Sequence, residues 1–191
     1  MKLLWDFDGT MFDTYPTIVQ SFKELLTHQE VSDEDVLKRM KISSEEAIRH
    51  FGIEKKLFDE KFHALEKELH PKDKPPFPYL EAVLKWAQLN VIVTHKSKES
   101  TIEILEFYEM KKYFAEIITK DDGYERKPDT GAYAYLHDKY GIDMVIGDRE
   151  LDLKPARELG IATCAFQNPG LQADYHLSSY KDFFAMIANQ L

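Results

Sequence analysis

Cysteine is almost absent from this chain of 191 residues, and long apolar segments are missing. Cys164 is the only cysteine, so a disulfide within the chain is excluded and a reducing compartment is favoured. It lies in the apolar run 161–166, where we expect a buried core residue. No run approaches the roughly 20 apolar residues that a membrane-spanning helix needs.

Positive charge is also scarce. The chain has 25 lysines and arginines against 34 aspartates and glutamates, for a net charge of −9. This balance disfavours binding to nucleic acid or to anionic membranes. The apolar start reaches Asp6 too soon for a secretory leader, so we expect a cytoplasmic protein. An anionic substrate would need a locally positive site, which a metal ion and lysine can supply.

The sharpest motif is Asp6-Phe7-Asp8-Gly9-Thr10, which follows a short apolar run. Residues i and i+2 of a strand point to the same face. Two carboxylates on one face stay ionised only if a cation or hydrogen bonds compensate them. The motif therefore indicates a magnesium site with a carboxylate that can act as nucleophile or acid/base. The alternative is that both aspartates merely end a strand before a glycine turn.

The periodicity of the chain changes twice. Helical spacing fills the segment after residue 13, including a helix expected over 54–70, up to the proline-rich stretch 71–78. From residue 79 onward, helices alternate with short apolar strands, and a last helix is expected to reach Leu191. We predict an α/β fold in which a doubly wound, Rossmann-like parallel sheet (1–13 and 79–191) carries an inserted all-helical domain (14–78).

Polar residues follow three of the predicted strands. Asp6, Thr94 and Asp148 each come directly after an apolar run. In open parallel sheets, ligands bind beyond the carboxyl ends of the strands. The three side chains are therefore expected to meet at one edge of the sheet, where they would form a binding or catalytic site.

These motifs, together with Lys127-Pro128 and with Asp152 after Gly147-Asp148, resemble the four motifs of the haloacid dehalogenase-like superfamily. The order agrees, and the resemblance covers nearly the whole chain. Within the superfamily, the chain is most similar to the phosphoglycolate phosphatase and β-phosphoglucomutase branch, which carries a small helical cap. The resemblance implies a Mg²⁺-dependent phosphoric monoester hydrolase.

The resemblance also implies roles for the acidic residues. Asp6 would be the nucleophile that forms an aspartyl phosphate. Asp8 would protonate the leaving oxygen and then deprotonate water, which favours phosphate chemistry over dehalogenation because halide leaves without a proton. Magnesium would be held by Asp6, by Asp148 and by the backbone carbonyl of Asp8. Asp152 would hold a metal-bound water or orient Lys127.

Three further positions are implied to bind the phosphate. The Thr94 hydroxyl and the backbone N–H of His95 would anchor it, and Lys127 would neutralise the nucleophile and the phosphoryl group. An isolated strand-end threonine would otherwise make a local hydrogen bond, and a loop lysine is usually solvated. His95 stands where the family often has Asn or Ser, so its side chain is expected to be a partly exposed loop histidine. Arg126 ranks below Lys127 as the functional cation.

The helical insert is expected to cover the active edge and exclude water. Arg39, Lys41 and Arg49 are available for substrate recognition, although charged helix faces are usually only solvated. Ser44 stands where the mutase has an arginine, and Thr10 stands where it commonly has valine. Both departures favour the phosphatase over the mutase.

The sequence thus predicts a phosphatase acting on a small phosphorylated metabolite, with Mg²⁺ as cofactor and no nucleic-acid or membrane partner. A phosphosugar mutase is the first alternative, and a non-catalytic phospho-aspartate signalling or binding protein is the second. The phosphate ester stays open, as does the choice between a monomer and a weak dimer.

Overall fold

The computed structural model describes residues 1–26 and 30–188. The chain divides into two compact units, one formed by Met1–Asp13 with Pro76–Leu191 and the other by Thr14–Pro75. The second crossing between the units thus falls between residues 75 and 76, whereas the sequence prediction put it between 78 and 79. Within the described ranges, no helix is both long and apolar enough to cross a bilayer.

The first unit is built on six parallel strands in the order β3-β2-β1-β4-β5-β6. The order reverses beside β1, which pairs with both β2 and β4. This arrangement confirms the predicted α/β fold with a parallel sheet. The strands are β1 Lys2–Trp5, β2 Leu89–Val93, β3 Phe114–Ile118, β4 Met144–Gly147, β5 Ala162–Phe166 and β6 Tyr175–Leu177.

Both faces of the sheet are buried. Leu3 and Trp5 belong to one core cluster and Leu4 to another, and all three are fully buried. Alternate residues of a strand point to opposite faces, so a strand buried on both sides is a continuous apolar run. Cys164 lies in the first cluster, as expected. The unit's longer helices are α6 Leu80–Trp86, α7 Lys98–Phe107, α8 Gly131–Tyr140 and α9 Glu150–Glu158.

The second unit is helical, with a separate aromatic-rich core. The hydroxyl of Ser32 accepts a hydrogen bond from the Asp35 N–H, and that of Ser43 accepts one from the Glu46 N–H. These caps fix the starts of α2 and α3, because they satisfy N–H groups that have no partner within the helix. The helices are α1 Tyr15–Lys23, α2 Asp33–Ile42, α3 Ser44–Phe51, α4 Lys55–Leu57 and α5 His63–Glu68.

Two helix predictions differ from the structure. The segment expected as one helix over about 54–70 is helical without a break from Lys55 to Glu68, but its turn at Phe58–Phe62 is π-helical and divides it into α4 and α5. The rings of Phe58 and Phe62 stack at 4.5 Å in the core, and such a widened turn leaves no trace in hydrophobic periodicity. At the end of the chain, a 3₁₀ turn leads into the short helix α10 Phe183–Met186. The predicted helix end at Leu191 lies outside the described residues.

Candidate active site

The loop after β1 presents the two motif aspartates. Asp6 is the first residue beyond the strand, and its N–H donates to the Ile146 carbonyl of β4 at 3.0 Å. Gly9 adopts a positive φ of 74°, which lets the loop close so that its N–H donates to the Phe12 carbonyl at 2.9 Å. The Asp6 side chain is 1% exposed and that of Asp8 is 18% exposed. The loop therefore buries the predicted nucleophile and leaves Asp8 more open.

Lys127 reaches this loop from a distant part of the sequence. Its ammonium donates to Asp6 Oδ1 at 2.6 Å and to Asp152 Oδ1 at 2.8 Å. All three side chains are buried, so Lys127 is not a solvated loop lysine. Two charge-assisted hydrogen bonds at these distances are strong and directional. They fix the ammonium beside the predicted nucleophile.

Asp152 approaches the sheet because residue 147 is glycine. A Cβ at Gly147 would lie 2.5 Å from the Cβ of Asp152, which real side chains do not tolerate. In the first turn of α9, Asp152 Oδ2 also accepts the N–H of Arg149 at 3.1 Å. The close approach of α9 to the end of β4 thus depends on a missing side chain, and it delivers a carboxylate to Lys127.

Arg149 is a second cation at this edge, and the sequence analysis gave it no role. Its guanidinium lies 3.3 Å from Asp152 Oδ2, 3.8 Å from Asp6 Oδ1 and 4.0 Å from Asp148 Oδ1. Its side chain is 13% exposed. Two buried or nearly buried cations therefore face three buried carboxylates, and the fully ionised cluster keeps one excess negative charge.

The three carboxylates form a group that can hold a metal ion. Asp6, Asp148 and Asp152 each offer one oxygen, and these oxygens lie within 4.8 Å of one another. The Thr10 hydroxyl lies 3.2 Å from Asp6 Oδ2 and 3.4 Å from Asp148 Oδ1. A donor set made only of oxygen suits a hard cation such as Mg²⁺, and the excess negative charge favours one.

The group of three carboxylates contains two of the expected metal ligands, Asp6 and Asp148. The Asp8 carboxylate is not part of the three-carboxylate group, whereas Asp152, expected beside the metal ligands, is part of it. The expected ligand atom of Asp8 was its backbone carbonyl, and that assignment stays a prediction.

Burial and neighbouring charges shift the pKa values of Asp6 and Asp152 in opposite directions. The pKa of Asp6 is raised to about 7, by burial first and then by the carboxylates of Asp152 and Asp148, against the opposing charges of Lys127 and Arg149. Burial would also raise the pKa of Asp152, but Arg149 and Lys127 outweigh it and hold that pKa well below its usual range. Of these two carboxylates, Asp6 is thus the one whose charge responds more readily to an added cation.

The pKa of Lys127 is set by the same contacts. Burial alone would lower it, but the carboxylates of Asp152 and Asp6 raise it above the ordinary lysine value. Lys127 therefore stays charged throughout the physiological range.

The predicted phosphate anchors lie at the end of β2. The Thr94 N–H donates to the Ile118 carbonyl at 2.9 Å, and its hydroxyl oxygen accepts the Lys96 N–H at 3.1 Å. The hydroxyl keeps its own proton for donation to a ligand oxygen. Next to it, His95 Nε2 accepts the backbone N–H of Lys127 at 2.8 Å, a contact that the sequence analysis did not predict. Thr94, His95 and Lys127 all line one open pocket.

Lys96 is a functional candidate that the sequence analysis missed. Its ammonium lies 3.2 Å from Asp8 Oδ1, and its side chain is 4% exposed. A buried lysine two residues after Thr94 could have been suspected from its position at a strand end. Its partner could not, because the pairing depends on how the β1 and β2 loops meet.

Two long-range contacts hold the loops that carry the site. The Asn168 side chain donates to the Asp148 carbonyl at 2.9 Å. The buried Tyr180 hydroxyl donates to the Thr10 carbonyl at 2.7 Å. Neither residue belongs to a local sequence pattern, so only the folded structure reveals them.

The candidate recognition residues of the helical unit have partners within that unit. Arg39 lies 3.4 Å from Glu46, which also pairs with Arg49. The Lys41 ammonium lies 5.0 Å from the centre of the Tyr15 ring. A role for these cations in substrate recognition stays a prediction.

The fold and the charged edge define an α/β enzyme with a carboxylate site at the point where the strand order of a parallel sheet reverses. The chain belongs to the haloacid dehalogenase-like hydrolase family, which it matches over residues 3–166. The resemblance found in the motifs is thereby confirmed.

Individual relatives carry more specific names. A phosphoglycolate phosphatase of Vibrio parahaemolyticus is 29% identical, covering 85% of this chain and 82% of the relative. A Clostridium perfringens protein with pyrophosphatase in its name is 23% identical, covering 95% and 91%. A hydrolase of subfamily IA from Geobacter sulfurreducens shares the fold, with a TM-score of 0.71 at 19% identity over 100% of this chain and 98% of that one.

Proposed function

We propose that this hydrolase is a Mg²⁺-dependent phosphatase that cleaves a small phosphate monoester in the cytoplasm through an aspartyl phosphate on Asp6. One observation carries the proposal: the buried Lys127 ammonium lies 2.6 Å from Asp6 Oδ1. A fixed cation beside a buried carboxylate can neutralise the negative charge of a phosphoryl group, which would otherwise repel the attacking carboxylate.

The reaction would proceed in two displacements. In the first, an Asp6 carboxylate oxygen attacks phosphorus, the ester P–O bond breaks, and protonated Asp8 gives its proton to the leaving oxygen. In the second, Asp8 takes a proton from water as that water attacks the phosphoryl group. The bond between phosphorus and Asp6 breaks, inorganic phosphate leaves, and both aspartates return to their starting states.

The neighbouring residues would bind and orient the phosphate. The Thr94 hydroxyl and the His95 backbone N–H donate to its oxygens, while Lys127 neutralises charge on both the nucleophile and the phosphoryl group. Asp152 holds the ammonium in place through the 2.8 Å contact.

The carboxylate group fits the proposed cofactor. Asp6 and Asp148, with the backbone carbonyl of Asp8, would hold Mg²⁺. When bound, the ion would supply positive charge to the phosphoryl oxygens. It would also favour the ionised form of Asp6, whose pKa is raised by burial.

The names of the relatives suggest which phosphorylated compounds could be the substrate. The names of two relatives refer to different substrates, phosphoglycolate and pyrophosphate. Both compounds are small and strongly anionic, which agrees with a small phosphorylated metabolite as substrate. They also define the first compounds to test.

The test is phosphate release from a panel of compounds with and without Mg²⁺. The panel contains phosphoglycolate, pyrophosphate, sugar phosphates, nucleotides and p-nitrophenyl phosphate. We expect Mg²⁺-dependent release that Asp6→Asn reduces at least about a thousandfold, as removal of a nucleophile does. The matched variant Asp33→Asn, at an exposed aspartate of the helical unit, should keep the wild-type rate.

Other results would favour the alternatives. An isomerised sugar phosphate without net phosphate release would indicate a mutase. A lasting phospho-aspartate without turnover would indicate a signalling or binding protein. No release from any compound by folded, Mg²⁺-loaded protein would contradict the phosphatase.

A further inference from the structure

The His95 side chain joins the loop after β2 to the loop that precedes α8. Its Nε2 accepts the backbone N–H of Lys127 at 2.8 Å, across 32 positions of sequence. Its Nδ1 lies 3.4 Å from Arg126 Nη2, at the long end of hydrogen-bond range. The short contact is therefore made to the main chain of the residue whose ammonium meets Asp6.

The contact requires a neutral imidazole with its proton on Nδ1, because Nε2 can accept only when it carries no proton. The pKa of His95 is lowered to about 3, by burial first and then by the charges of Lys127, Arg126 and Arg149. The ring is therefore neutral at physiological pH and keeps an acceptor directed at Lys127. With its proton on Nδ1, the ring cannot accept from Arg126, so the Arg126 contact adds little.

Fixing the main chain of Lys127 limits where its long side chain can reach. A lysine has four side-chain torsions, and ordering them costs conformational entropy. The ammonium must nevertheless lie between Asp6 Oδ1 at 2.6 Å and Asp152 Oδ1 at 2.8 Å. An anchored Cα makes this placement reproducible, whereas a mobile loop would let the ammonium leave the nucleophile.

We propose that His95 is a positioning residue for Lys127: its ring anchors the lysine's main chain so that the ammonium stays beside Asp6 during phosphoryl transfer. The proposal rests on the proposed function. The length of the side chain matters, because Nε2 lies farther from the backbone than any atom of Asn or Ser. A shorter side chain at position 95 does not reach Lys127 in this backbone arrangement.

The test compares His95→Gln with His95→Met. Glutamine places an amide oxygen close to the position of Nε2, whereas methionine has similar length but only a weak sulfur acceptor. We expect the glutamine variant to keep kcat within about threefold of the wild type. The methionine variant should lose about tenfold in kcat, the rate equivalent of one hydrogen bond, with a smaller change in KM. His176→Met, at an exposed histidine, should change neither quantity.

A second measurement does not depend on activity. Hydrogen exchange of the Lys127 amide, followed by NMR, should be faster in His95→Met and unchanged in His95→Gln and His176→Met. If methionine does not fold, His95→Ser removes the same acceptor with a small polar side chain.

Together, the kcat and hydrogen-exchange measurements distinguish the ways in which the proposal could be wrong. Unchanged exchange in the methionine variant would show that the contact is absent in solution. Faster exchange with wild-type kcat would show that the contact exists but does not position the ammonium. If the wild type releases no phosphate at all, the proposed function fails and the catalytic role of His95 fails with it. The exchange data would still decide whether His95 fixes Lys127.

Discussion

The carboxyl edge of the sheet and the helical unit use charge in opposite ways. At the sheet edge, the Lys127 side chain is 2% exposed and contacts carboxylates that are 1% and 0% exposed. In the helical unit, Lys23 and Asp33 form a pair whose side chains are 38% and 78% exposed. One region removes its charges from water, and the other leaves them in it.

Stability alone does not explain the buried charges. Exposed ion pairs contribute about 0–1 kcal/mol, and a buried pair is often no more stabilising than apolar residues of the same size. Burial does change the acid–base properties of these groups, since it is the largest cause of the raised pKa of Asp6. We conclude that the charges at the sheet edge are placed for catalysis, whereas the exposed pairs of the helical unit mainly keep its surface polar.

The largest expected difference between the regions concerns their lysines. Lys127→Met removes the ammonium that donates to two buried carboxylates, and we expect a loss of about 3–5 kcal/mol in the free energy of unfolding. Lys23→Met should cost less than about 1 kcal/mol. Urea unfolding followed by circular dichroism measures both. Tryptophan fluorescence reports separately on the sheet unit, which contains both Trp5 and Trp86. Equal losses would contradict the distinction drawn between the two regions.

A smaller effect is expected from the close approach of α9 to the sheet. Gly147→Ala places a methyl group 2.5 Å from the Cβ of Asp152, so backbone or side chain must shift, at about 1–3 kcal/mol. At Gly170, the added Cβ would meet its nearest atom at 3.7 Å, and Gly170→Ala should change stability by less than about 0.5 kcal/mol. Thermal unfolding of the two variants makes the comparison, and a tolerated Gly147→Ala would contradict the packing described here.

The smallest effect concerns the pH dependence of stability. The pKa of His95 falls from 6.5 to about 3 on folding, so the unfolded chain binds its proton first as the pH drops. His95 therefore reduces stability below about pH 6.5. Between about pH 7.5 and pH 5.5, the wild type should lose about 1.4 kcal/mol more than His95→Gln, which does not titrate. Parallel pH profiles of the two proteins would contradict a His95 ring that stays neutral in the folded protein.

Much of the sheet unit was predictable because its pattern is local. Each strand is an apolar run, and Asp6, Thr94 and Asp148 follow three of them directly. The parallel register, which pairs Trp5 with both Ile92 and Ile146, then places the ends of these strands side by side at one edge of the sheet. The π-helical turn at Phe58–Phe62 was not predictable, since it inserts a residue without altering the apolar composition.

The contacts within the site were less predictable than its members. Arg149 and Lys96 lie beside recognised motifs, yet their carboxylate partners depend on how separate loops meet. The side chain of His95 is partly exposed, as expected, but its hydrogen bond from the Lys127 N–H was not predicted. Hydrogen bonds between residues far apart in sequence depend on the tertiary structure, so no local sequence pattern predicts them.

The most direct test of the account is to look for the covalent intermediate on Asp6. The protein is mixed with its best ester and Mg²⁺, quenched in acid within one turnover, digested and examined by mass spectrometry. The account predicts the added mass of one phosphoryl group on the peptide that contains Asp6, and none in Asp6→Asn. Rapid phosphate release with no phosphorylated peptide, or with the phosphoryl group on another residue, would contradict it.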